Sequence, residues 1–149
     1  MKTTNSKYCT CLYHSANALS RVMTKISDEE FSITGLGSSY AFLLMTVNEK
    51  QGIQPKELSE QMQLTPSTVT RLIEKLEYKG YLKRESVGRS TNVFSTPRGI
   101  ELQPKLKEVW RILYQRYTAI LGKLEADTLT ENIFSATVKL ENEIKSNKK

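Results

Sequence analysis

The side chains with the most capacity for chemistry lie between positions 65 and 98. Thr65, Ser67, Thr68 and Thr70 place four short hydroxyls at the head of one periodic segment, followed by Arg71 and Lys75. Hydroxyls this short let a helix approach a polar surface and bond base edges or phosphates, and an arginine beside them can reach a guanine or the backbone. Lys83, Arg84 and Arg98 extend the series with cations suited to phosphate. Gly88 permits a tight turn from which Arg89 projects, a geometry suited to a narrow minor groove. Residues 65–98 hold seven basic against three acidic groups, two-thirds of the formal net charge of +6. A basic stripe confined to one segment marks a polyanion site, with nucleic acid the first candidate. The competing reading of the charge alone is a solvated face that binds nothing.

The elements that must position these residues are legible from periodicity and punctuation. Pro55 opens a short helix to Met62, and after Gln63-Leu64 the pair Thr65-Pro66 repeats the start signal for a second helix over 65–79. Val69, Leu72, Ile73 and Leu76 form its inner face, and Gly80 is placed to end it. Residues 81–84 and 91–95 read as two short strands around a Gly88-Arg89-Ser90 tip, and Thr96-Pro97 starts another helix. Two helices across a three-residue turn, followed by a charged hairpin, form a helix-turn-helix with a wing.

Helices flank this unit. Tyr8, Leu12, Ala16, Leu19, Met23 and Ile26 mark one helix face over 8–26, with an acidic break expected at Ser27-Asp28-Glu29-Glu30. Gly35-Leu36-Gly37 reads as a loop, not a phosphate cradle. Ser38 or Ser39 is expected to cap a helix carrying Tyr40, Leu43, Leu44 and Val47 that runs out near Gly52. A near-heptad stripe from Leu102 to Leu124 predicts one long helix, broken at Ala126-Asp127-Thr128. Thr128 and Glu131 are expected to form a capping box for a last helix, with a frayed tail from Lys145. Trp110, Tyr114 and Tyr117 read as dimer core or pocket lining. The fold class is mainly α with a small β-hairpin wing, organised as one domain over 1–149. Within it, 35–99 form the winged helix-turn-helix, and 8–26 and 100–145 are expected to be dimerisation helices, because their apolar faces exceed what one small core buries.

Composition narrows the class. The 149 residues are 38% hydrophobic and 26% charged, enough apolar content for a packed core. No apolar run approaches the about 18 residues of a membrane span, and the N-terminus leads into no long apolar segment, so a cytoplasmic location without membrane association is expected. There is no phosphate-loop glycine pattern, no His-Glu-x-x-His, no Gly-x-Ser-x-Gly, and His14 is the only imidazole. No enzyme activity, cofactor or metal is expected.

Leu58-Ser59-Glu60, the run Leu64-Thr65-Pro66-Ser67-Thr68-Val69-Thr70-Arg71-Leu72-Ile73-Glu74-Lys75-Leu76-Glu77, Lys79-Gly80-Tyr81-Leu82 and Thr96-Pro97-Arg98-Gly99 resemble the multiple-antibiotic-resistance regulator (MarR) family over roughly 8–145. The resemblance implies a homodimeric winged-helix repressor of transcription, dimerised through its terminal helices and relieved by a small effector or by oxidation. Its partners would be a pseudo-palindromic duplex operator and a second copy of the chain, with a small molecule or hydroperoxide as effector. Two positions depart from the family pattern. The wing tip, Val87-Gly88-Arg89-Ser90, keeps the reaching arginine without the usual acid beside it, and Ser95 replaces the usual leucine, a change expected to affect packing and not chemistry.

Cys9-Thr10-Cys11-Leu12-Tyr13 is similar to the N-terminal segment of the family's peroxide-sensing branch, which would make Cys9 the reactive thiol, Cys11 its neighbour and Tyr13 the associated tyrosine. A sensor thiol needs hydrogen-bond donors and an oxidant path. Packed core thiols and soft-metal ligation are the alternatives. In a helix, residues two apart point about 200° away from each other, so a Cys9–Cys11 disulfide is not expected. A winged-helix module that binds protein and not DNA is the competing function. Charge on both helix and hairpin separates the two.

Overall fold

Local signals set most of the helix starts. Thr65 is extended, and its Oγ1 accepts the Thr68 N–H at 3.3 Å; Thr96 Oγ1 accepts the Gly99 N–H at 3.2 Å. Both are followed by proline, whose missing donor and fixed φ suit a first turn. The computed structural model describes residues 6–148, in the order α1 (Leu12–Phe31), a single 3-10 turn (Ser32–Thr34), α2 (Ser38–Glu49), α3 (Pro55–Met62), α4 (Pro66–Tyr78), β1 (Leu82–Val87), β2 (Ser90–Ser95), α5 (Pro97–Glu101), α6 (Gln103–Leu121) and α7 (Lys123–Ser146). The architecture is mainly helical with one two-stranded antiparallel hairpin, as the sequence predicts.

The chain divides into two compact units, one through Trp110 and one from Arg111. In the first, α2 is the central element: Ala41, Leu43, Leu44, Met45 and Val47 are buried, and it touches α1, α3, α4, α5 and β2. A helix apolar nearly all round has to sit inside. Val69, Leu72, Ile73 and Leu76 of α4, with Leu58, Leu82, Val93 and Leu106, complete this core. In the second unit, Gly122 turns the corner between α6 and α7 at φ +88°, and Tyr114 Oη and Lys123 Nζ both donate to Asp127, at 3.0 and 2.9 Å.

Several expected boundaries move. The acidic segment does not break α1, which runs on to Phe31. Instead Asp28 Oδ1 accepts the Ser38 N–H at 2.9 Å and lies 2.6 Å from Ser38 Oγ, so it supplies the cap for α2 that was expected from Ser38 or Ser39. Helix α1 also begins later than expected, at Leu12. The long helix is divided at Leu102, because Pro104 has no N–H for the Ile100 carbonyl and its ring crowds that oxygen. The second break falls at Gly122, not at 126–128. Asp127 and Thr128 lie inside α7, so the Thr128 capping box does not form, and the helix continues to Ser146. The strands are longer than the sequence suggests and pair from Leu82↔Ser95 to Val87↔Ser90, leaving Gly88-Arg89 as a two-residue tip.

Candidate nucleic-acid interface

Helix α3 ends at Gln63, which adopts a left-handed φ of +54° and turns the chain sharply toward Thr65. This places α4 across α3 with its apolar side inward and its polar head outward. Thr65, Ser67 and Thr70 are exposed and Thr68 is half-buried. The hydroxyls are partly committed to local work. Thr65 Oγ1 lies 2.9 Å from Thr68 Oγ1 and 3.3 Å from Ser67 Oγ, and Thr70 Oγ1 donates to the Pro66 carbonyl at 3.0 Å. Arg71 is exposed and has no ion pair or side-chain hydrogen bond among the described residues. Lys75 leans toward α2, its ammonium 5.6 Å from the centre of the Tyr40 ring.

The C-terminus of α4 is closed tightly. Gly80, at φ +83°, donates to the Glu77 carbonyl and Tyr81 to the Leu76 carbonyl, both at 2.9 Å, the paired bonds of a Schellman end. Arg98 reinforces it, donating from Nη1 to the Lys79 carbonyl at 2.6 Å while its guanidinium lies 4.5 Å over the Tyr81 ring. Arg84 of β1 reaches back to Glu77 of α4 at 2.8 Å, and Lys83 pairs with Glu85 at 3.1 Å. At the tip, a left-handed φ of +62° at Gly88 alone suits a II′ turn, and Arg89 stands exposed without a partner among the described residues.

The structure therefore sorts the expected cations. Arg71 and Arg89 are unpaired, whereas Lys83, Arg84 and Arg98 are held by internal partners. Sequence reasoning did not single out Tyr78, which is 92% exposed at the end of α4. Nor did it find the long-range partners Glu77, Lys79 and Tyr81, which no local pattern encodes.

The cysteine segment lies apart from this face in sequence. Cys9 sits in a turn ahead of α1 and Cys11 is the extended residue at its start, so the helical geometry expected for the pair does not apply. Both thiols are exposed, which overturns packing within this chain as their role. Tyr13 is 80% exposed, and the Tyr8 and His14 rings lie 5.5 Å apart. Among the described residues no group of three or more His, Cys, Asp or Glu is placed to hold a metal, and no helix is long and apolar enough to cross a membrane.

Two helices across a three-residue turn, with an antiparallel hairpin directly after the second, define a winged helix-turn-helix protein. The model of the MarR family matches residues 39–87, from α2 through β1. Over those residues, a third of its length, the chain is similar to the MarR family. An uncharacterized HTH-type transcriptional regulator, YybA of Bacillus subtilis (strain 168), is 27% identical over 92 residues, 60% of this chain and 61% of the relative, so the match spans less than two-thirds of that protein. Among solved structures, a mutant MarR from E. coli complexed with operator DNA gives a TM-score of 0.77 at 18% identity, covering 88% of this chain and 98% of its own. The PcaV transcriptional regulator from Streptomyces coelicolor, in complex with its natural ligand, gives 0.78 at 19% identity, covering 89% and 95%. At these identities the structural likeness shows the fold.

Proposed function

We propose that this protein is a sequence-specific, duplex-DNA-binding regulator of transcription that acts as a homodimeric repressor and is relieved by a small ligand. The observation that carries the DNA reading is the division of the cations. Arg71 on the outer face of α4 and Arg89 at the wing tip are left free, and their neighbours are used to brace the helix and hairpin that present them. A major-groove helix and a minor-groove wing need this arrangement, and a protein-binding module does not. The DNA complex of the MarR relative supports the same reading.

Dimerisation is supported by apolar side chains left exposed on the terminal helices: Leu12 and Val22 on α1, and Ile133, Phe134, Leu140 and Ile144 on α7. Ligand relief is supported by a cavity of about 300 Å³ in the first unit, lined by Phe42, Met45, Thr46, Glu49, Met62 and Trp110. The cavity favours a ligand over thiol oxidation, because neither Cys9 nor Cys11 has a side-chain donor to its sulfur among the described residues. Selection of bound duplexes from a random library tests the whole reading. A pseudo-palindrome with half-sites roughly 10 bp apart, or a small multiple of that, is expected. Recovery of no enriched sequence would overturn sequence-specific binding. Repeating the selection with hydroperoxide distinguishes oxidation from ligand relief.

A further inference from the structure

The base of the wing is held by part-buried hydrogen bonds at the position where the family resemblance leads one to expect leucine. Ser95, the last residue of β2, is buried, and its Oγ donates to Asn48 Oδ1 at 2.5 Å. Asn48 Nδ2 donates in turn to the Gly99 carbonyl at 3.1 Å and to Gln103 Oε1 at 2.7 Å. The Ser95 N–H donates to Gln51 Oε1 at 2.8 Å. The cluster thus joins β2 to the end of α2, to α5 and to the first residue of α6. Both donors and the carbonyl oxygen of Asn48 are engaged, which fixes its orientation. A leucine would fill the same space with no directional constraint. Hydrogen bonds specify an angle as well as a distance, and where water is partly excluded they resist being broken because their partners would be left less well satisfied. Backbone bonds also anchor the middle of β2, Gly52 N–H donating to the Val93 carbonyl at 2.8 Å and Val93 N–H to the Ile53 carbonyl at 2.9 Å, while the Arg84–Glu77 pair to α4 is partly exposed and holds weakly.

A lever arm makes this matter at the tip. From the Leu82↔Ser95 pair to the Val87↔Ser90 pair the hairpin advances five residues, about 17 Å at strand rise. A rotation of about 10° at the base therefore moves the tip by about 3 Å, enough to break a hydrogen bond or ion contact.

We propose that Ser95, Asn48 and Gln103 are positioning residues of the wing. They fix the angle at which the hairpin leaves the body, and hence where Arg89 stands when α4 engages DNA. The proposal rests on the DNA-binding reading for its consequence, and its test has one arm that needs no DNA. Ser95→Ala and, independently, Gln103→Leu are compared with the parent protein by amide hydrogen exchange and by binding to sheared duplex DNA of mixed sequence, once circular dichroism has shown which variants fold. Exchange should rise over residues 82–95, on the order of tenfold, and stay unchanged over 66–78. Affinity should fall on the order of five- to tenfold, with the salt slope shallower by about one unit, the signature of one lost ion contact. In a double-mutant cycle, Ser95→Ala should add nothing to Arg89→Ala and should add fully to Arg71→Ala. Unchanged exchange in the wing, or full additivity with Arg89→Ala, overturns the proposal. If the parent protein binds no duplex, the DNA-binding reading fails, and the exchange measurement alone decides the positioning role.

Discussion

Arg71 and Arg89 carry the same charge and the same freedom from internal partners, yet their settings predict different losses. Arg71 lies on the outer face of a helix held from below by Val69, Leu72 and Ile73, so on the proposed reading its guanidinium would meet a base at fixed register. Arg71→Ala should cost about 1–3 kcal/mol of binding and relax preference at one base position. Arg89 projects from a two-residue tip, where on the proposed reading groove width and phosphate potential would set the contact. Arg89→Ala should weaken all sequences alike and flatten the salt slope by about one unit. Titration of both variants against matched and single-mismatch duplexes over a range of salt checks this; equal, sequence-independent losses would refute the groove assignment. Arg98→Ala should behave differently again, because its guanidinium closes the end of α4 on the Lys79 carbonyl. Its loss should appear first as about 1 kcal/mol of stability in urea unfolding.

At the scale of elements, the joints leave the least room for change. Gly99 sits where α5 crosses the start of the wing, and a Cβ there would lie 2.4 Å from the Tyr81 carbonyl oxygen. That neighbour is backbone and cannot swing away, so Gly99→Ala should destabilise the protein by about 2–3 kcal/mol, read as a lower urea midpoint at unchanged slope. At the α6–α7 corner, hydrogen bonds from Lys123 and then Tyr114 hold the Asp127 carboxyl below its ordinary range. A folded-state value depressed below the unfolded one means that this stabilisation is present above the ordinary carboxylate range. It is lost as pH falls through the depressed value. Asp127→Asn should remove that part of the acid sensitivity of thermal unfolding. These joints also explain what the sequence does and does not reveal. Thr65-Pro66, Thr96-Pro97 and Gly80 are legible because cap and capped amide lie within a few residues of each other. Asp28 capping α2 from ten residues away, Arg98 closing α4 from nineteen and Ser95 bonding Asn48 across forty-seven are tertiary facts with no local pattern. The candidate face was visible as hydroxyls and charge, but which cations are free depends on Glu77, Lys79 and Tyr81, and only the fold brings these alongside.

For the whole molecule, exposed apolar helix faces and the cavity predict linked association and ligand behaviour. Phe134→Glu and Ile133→Glu place a charge where α7 is expected to meet a second copy, so sedimentation should show a dimer for the parent protein and monomer for the double variant at micromolar concentration. A stable parent monomer at that concentration would sink the dimer. The cavity offers its own reporter, since Trp110 is the only tryptophan and lines it, its ring 6.0 Å from that of Phe42 at 84°. An apolar aromatic ligand that fills the space between Phe42, Met45 and Met62 should change Trp110 emission at the same concentration at which it loosens DNA. Linkage makes the expectation strict: if the ligand weakens DNA binding by some factor, about 5- to 150-fold for ordinary coupling, DNA must weaken ligand binding by the same factor. Thr46→Phe, which fills the cavity from α2, should abolish both effects together and leave ligand-free DNA affinity intact. A ligand that releases DNA from the parent protein while Trp110 emission stays constant would place the effector site elsewhere.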